Sequence, residues 1–231
     1  MNDVVILDPA KHGQFKLKPA NFSHVAEQHI LPISLHEFAA AATDSPIVFV
    51  KNSETGEFQP VMILGLEPGQ NLKQKEGKWL GSYLPNILKD YPLTIVINPA
   101  EQEKVWIGVR EDSPQVSNDE GEALFNGMEE TEFLTQRKNS LIQHFEEDQA
   151  TKAIMRYFAD NELLVSQSLT VRVDGEVRTI NGIYLIDEAK LNQMDDEAYL
   201  GLRKRGLIGP IYSHLTSLHQ INRLAALQTG A

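Results

Sequence analysis

The chain of 231 residues has no cysteine, which removes disulfides, thiolate nucleophiles and Cys-based zinc sites together. Aromatics are sparse at 7%, and cations are in deficit: Lys plus Arg number 21 against 32 for Asp plus Glu, a formal charge of -11. On average such a surface repels phosphate backbones and anionic membrane faces, so no nucleic-acid partner is expected. No stretch approaches the ~20 apolar residues of a membrane-spanning helix. The apolar run near the start, Val4-Val5-Ile6-Leu7, is flanked by Asp3 and Asp8 and lacks the basic start and greater length of a secretory signal. The cytoplasm is the expected location. Two motifs are missing as well. There is no Gly-x-Ser-x-Gly elbow for a serine hydrolase, and the glycine-bearing loop Gly65 to Asn71 lacks the Gly-Lys-Ser/Thr ending that cradles phosphate.

What is present is an ordinary folding composition, 42% hydrophobic and 23% charged, long enough to bury a sizeable core. The reading is a single domain over 1–231, with residues 1–28 as a peripheral amino-terminal arm. Extended apolar segments bounded by turn residues predict strands at His29 to Ile33, Ile47 to Lys51, Pro60 to Leu66, Leu93 to Asn98 and Val105 to Arg110. Ser34 and Glu37 have capping-box spacing, predicting a helix over Leu35 to Ala42. Helical spacing of Leu80, Tyr83, Leu84, Ile87 and Leu88 is interrupted by Pro85, which leaves a short helix or an irregular turn. Ser113-Pro114 and the Ser117-to-Glu120 spacing predict another helix, stopping at Asn126-Gly127. A longer helix follows from Thr131 to Asp160, with the polar run Glu146 to Gln149 as a break point. Asp174-Gly175 between alternating strands signals a hairpin, Asp187 caps a helix through Asn192, and helices close the chain over Asp196 to Arg205 and Ile211 to Leu227. The fold class is α+β: a strand-rich amino-terminal half, a central helical segment, a β-hairpin and a helical carboxy-terminal end. A cupin-like barrel is the alternative.

Metal chemistry without cysteine would rest on the seven histidines. His144-Phe145-Glu146 has the His-x-acid spacing of iron(II) oxygenases, with His214 or His219 as a distant third ligand. That motif needs extended backbone, whereas here it falls in a predicted helix where residues two apart diverge. His214 and His219 are five apart on a helix, so one faces the core and the other solvent. No metal and no cofactor is therefore assigned, and no catalytic residue. A different collection is aromatic and polar: Trp79, Tyr83, Tyr91, Trp106, Arg110, Asp112, Tyr184 and Lys190. Rigid aromatics with an arginine are the composition of binding hot spots, and core packing accounts for the same residues. The binding candidates taken forward are Trp79, Tyr83, Arg110, Asp112, Tyr184, Asp187, Lys190 and His214.

Several ordered segments carry a family resemblance: Ser45 to Phe49, Leu64 to Leu72, Trp79 to Pro92, Arg110 to Pro114, Gly121 to Phe125, Gly182-Ile183-Tyr184 with Asp187 to Asn192, and His214 to Leu218. In order and spacing, from Leu31 to Leu227, the chain resembles the bacterial SapC family. The resemblance implies an association with surface-layer formation, in genomic neighbourhoods that hold cupin-type iron oxygenases, flavin halogenase-like proteins and TonB-dependent receptors. It brings no catalytic residues. Three functions follow as expectations. The first is a non-catalytic accessory protein binding a peptide or protein, surface-protein modification enzymes among them. The second is an iron- and 2-oxoglutarate-dependent peptide-modifying oxygenase of cupin-like fold, and the third is a surface-layer component.

Overall fold

A computed structural model describes residues 4–97 and 104–230; Asn98, the last residue of one expected strand, lies outside them. The chain divides into two compact units, one formed by Met1–Asn21 and Asn86–Glu146, the other by Phe22–Pro85 and Glu147–Ala231.

The second unit is organised by one antiparallel sheet of five strands, in the order Leu164–Val173, Glu176–Ile186, Ile47–Lys51, Phe58–Ile63, Ile30–Pro32. The long hairpin forms where Asp-Gly predicted it. Asp174 and Gly175 both take positive φ, 51° and 83°, as a two-residue turn matched to strand twist requires. Alternation then decides the faces. Val171, Val173, Ile183 and Leu185 point inward with Val48, Val61 and Ile63, and pack on Ile221, Leu224 and Ala225 from the last helix. The intervening Thr170, Arg172, Thr179 and Asn181 are exposed.

Local chemistry sets the helices of this unit. The predicted Ser34–Glu37 capping box forms, with Glu37 Oε2 accepting the Ser34 N–H at 2.8 Å. The predicted helix starts as a 3-10 turn, Leu35–Glu37, before Phe38–Ala41. Asp187 caps Glu188–Asn192 by accepting the Lys190 N–H, and Gly206, at φ 73°, ends Asp196–Lys204. The final helical stretch begins earlier than its glycine-proline pair suggests, at Ile208, because Pro210 sits in a first turn that needs no N–H bond. It is also interrupted after Ser217. There the Ser217 hydroxyl donates to the His214 carbonyl (2.6 Å) and accepts the Ile47 N–H (2.8 Å), anchoring the helix to the sheet.

The first unit is built from smaller sheets. Val105–Arg110 lies between Val4–Ile6 and Leu93–Ile97, and Lys16–Leu17 lies between Val116–Ser117 and Glu122–Ala123. Phe125–Asn126 and Glu129–Glu130 form a tight hairpin. The amino-terminal residues are integral to this unit. His12 is fully buried beneath Phe15, accepting the Asp8 N–H at Nδ1 and meeting Glu111 Oε1 at 2.7 Å through Nε2. The helix expected between Ser113 and Asn126 is absent. The Ser117 hydroxyl accepts the N–H groups of Asp119 and Glu120 in a turn, and the flanking residues pair with Lys16 and Leu17 as strands.

The long helix, Glu132–Asp160, is unbroken. Its acidic run is held by Asp148 pairing with Lys152 one turn on, at 2.7 Å. Leu134 and Leu141 enter the core of the first unit, and Met155 and Phe158 are buried in the second. Among the described residues no sheet closes into a barrel, which sets the cupin-like alternative aside and leaves the α+β reading.

Candidate functional site

The residues singled out in the sequence separate into small local groups. Trp79 and Tyr83 come together, the indole N–H donating to the Tyr83 carbonyl at 2.7 Å while the Tyr83 hydroxyl donates to Glu37 Oε1 at 2.8 Å. Burial, then the Glu37 carboxylate, pushes the Tyr83 phenol far above its ordinary range. Tyr184 instead packs edge-on against Phe58, with ring centroids 4.9 Å apart. Asp187 is the helix cap just described, and Lys190 pairs with Glu162 at 2.7 Å. Arg110 and Asp112 belong to the other unit, at the end of a strand and in the turn after it.

His214 is a core residue. Its Nδ1 donates to the Ile47 carbonyl at 2.8 Å and its Nε2 accepts the Ile186 N–H at 3.1 Å. Both ring nitrogens are used, and desolvation lowers the pKa to about 4, so the ring stays neutral. His219 is exposed, as the five-residue spacing implied. His144 and Glu146 sit two apart on the long helix and diverge, and His144 Nδ1 meets Asp90 Oδ2 at 2.8 Å. Among the described residues no three His, Asp or Glu gather into a metal site.

A buried polar centre that the sequence did not advertise lies in the second unit. Lys73 is 1% exposed and Asp44 fully buried. Lys73 Nζ donates to the Asp44 carbonyl (2.8 Å) and to Oδ1 (3.1 Å), and Ser82 donates to the same oxygen. Burial lowers the Lys73 pKa, with Asp44 opposing. This buried ion pair, with the half-exposed Arg223 3.6 Å from the same Asp44 oxygen, ties loops together.

Access is found in the first unit. The strand Val105–Arg110 reads V-W-I-G-V-R and is apolar on both faces. Ile107 and Val109 face the core with Leu93 and Ile95. The other face carries Trp106, 40% exposed, opposite Val96, with Ile6 on the neighbouring strand 48% exposed. Gly108 lies between Val4 and Val96, where an added Cβ would meet their methyl groups at 2.6 and 2.7 Å, so these aliphatic side chains close over the strand. An antiparallel sheet normally offers solvent a polar face; this one offers a largely hydrophobic one, with Thr94 and Arg110 as its polar members. At its edge Ile6, Trp106, Phe125, Met128 and Ile142 line a groove of about 420 Å³. Met128 is 68% exposed, and the rim carries the Lys138–Glu130 ion pair at 2.6 Å. Trp106 was legible as part of an aromatic collection. Its neighbours were hidden because they come from four separate stretches of chain.

A second cavity in the same unit, of about 320 Å³, is lined by Lys18, Lys89 and Arg137 together with Tyr91 and Phe133.

The family model of SapC matches residues 7–224. No curated protein and no solved structure matches the chain. No helix among the described residues is long and apolar enough to cross a membrane.

Proposed function

This chain belongs to the SapC family, and from that membership we propose that it is a non-catalytic accessory protein of surface-protein biogenesis or modification, acting in the cytoplasm by binding a partner protein. The observation that carries the reading is the apolar outer face of the sheet around Trp106. Contiguous exposed apolar area is uncommon on a protein that works alone and marks association surfaces. A tryptophan beside a mobile, polarisable methionine is the composition of an adaptable hot spot. The partner class follows from charge. The groove's own charges, Glu130 and Lys138, neutralise each other on a chain of net charge -11, so the fitting occupant is an apolar segment bracketed by Lys or Arg, drawn by the charge of the whole chain.

The test places a photo-crosslinking residue at position 106 and, as a control, at the exposed Tyr212 of the second unit, then irradiates each protein in lysate of its own source cells. Capture specific to position 106, with the crosslinked stretch apolar and flanked by basic residues, is the expected result. Equal capture from both positions, or undiminished capture when Met128→Ser is added, overturns the proposal.

A further inference from the structure

We propose that the cavity between Lys18, Lys89 and Arg137 is a binding site for a small organic anion with a flat apolar body, an aryl carboxylate or aryl phosphate. It is distinct from the groove around Trp106 and does not depend on it.

Charge is the first observation. The chain as a whole is strongly acidic, yet this cavity gathers three cations against the single carboxylate of Glu122. Arg137 is the least explained of them. Its Nη2 donates to the Asp90 carbonyl at 3.0 Å, a neutral acceptor, and its Nε is buried without a hydrogen-bond partner. The Asp90 carboxylate meets His144 at 2.8 Å through Oδ2, and its Oδ1 is buried without a hydrogen-bond partner. The guanidinium is thus held in place by backbone, with its Nε–H left over. Burial disfavours its charge, with Asp90 opposing, and an anion in the cavity would supply what the protein withholds.

The walls define the rest of the ligand. Tyr91 and Phe133 line the cavity, and Phe133 is braced against the core of the unit. The opposite wall is fixed by backbone: the Lys18 N–H donates to the Gln115 carbonyl at 2.9 Å, and Gln115 Nε2 donates to the Asn21 carbonyl at 2.8 Å. Gln115 is itself buried. A preformed cavity of about 320 Å³ lies at the lower end of small-molecule sites. Aromatic walls with cationic donors select a short, flat anion.

Calorimetry of the full-length protein with benzoate, phenyl phosphate, inorganic phosphate and neutral benzyl alcohol tests this. Both aryl anions are expected to bind more tightly than either inorganic phosphate or benzyl alcohol, and more weakly as salt is raised. Whichever aryl anion binds tighter identifies the acid group. Lys18→Gln and Lys89→Gln should each weaken binding about tenfold, the loss of one charge-assisted hydrogen bond. These two positions hold no buried carbonyl, so folding is spared even if Arg137→Gln, expected to abolish binding, also lowers the melting temperature. Aryl anions that bind no better than benzyl alcohol, or a double lysine variant that binds them as the wild type does, overturn the proposal. Inorganic phosphate binding as tightly as phenyl phosphate overturns its aromatic half.

Discussion

The two units of the chain differ in what their sheets leave at the surface. In the second, a five-stranded sheet buries its apolar face, and buried polar pairs tie its elements together: Lys73 to Asp44, Glu37 to Tyr83, His214 to two strand backbones. In the first, sheets of two or three strands leave Trp106, Ile6 and Met128 at the surface and three cations around a cavity. The comparison separates scaffold from working surface. Groups paired internally hold a fold together, and apolar groups left exposed are the ones available to something else.

The contrast breaks most visibly at Lys73. Lys73→Met leaves a buried carboxylate without its principal partner and should lower the unfolding free energy by about 3–5 kcal/mol in urea titration. Adding Asp44→Leu should restore part of it, because removing both charges also removes the cost of burying them.

Next in size is a pH effect. The neutral His214 is held at a pKa of about 4, below the ordinary value near 6.5. Below that ordinary value the unfolded chain takes up a proton that the folded one refuses. Stability should therefore fall as pH drops from about 6.5 towards 4, by about 3 kcal/mol over the window. The segment between pH 6.5 and 5, above most carboxylate titrations, shows it cleanly, and His214→Phe should flatten that slope even though it costs stability at pH 8.

In the first unit the expectation reverses. Trp106→Ala and Met128→Ser should shift stability by under about 1 kcal/mol, yet weaken partner binding about thirtyfold or more, as loss of a hot spot does. Smallest of all is Arg156→Ala, which removes an exposed ion pair with Glu57 at 2.7 Å and should change the unfolding midpoint by no more than about 0.5 kcal/mol.

Much of this architecture was written in local sequence. Ile47–Lys51 and Val105–Arg110 have the bounds their apolar runs predict, and Asp174-Gly175 made its hairpin, because periodicity and turn chemistry act over a few residues. The failures have non-local causes. Ser117 and Glu120 share their spacing with a helix start, but strand pairing with Lys16 and Leu17, about a hundred residues earlier, decided the outcome. The break expected at Glu146 to Gln149 was overridden by Met155 and Phe158 anchoring the helix beyond it.

The site was less legible than the fold. Tyr83, Asp187, Lys190 and His214 have the residue types of a binding face, yet each has a partner within its own unit. Chemistry of type cannot distinguish a satisfied group from an available one. The informative signal was negative: V-W-I-G-V-R lacks the alternation of polar and apolar residues that a half-exposed strand should show.

Hydrogen exchange on the protein alone and crosslinked to its captured partner tests the central claim most directly. The account predicts new protection over residues 4–7, 105–110 and 125–142, with the hairpin 164–186 and the final helices unchanged. Protection confined to that hairpin or those helices, with the strand bearing Trp106 unaffected, would contradict it.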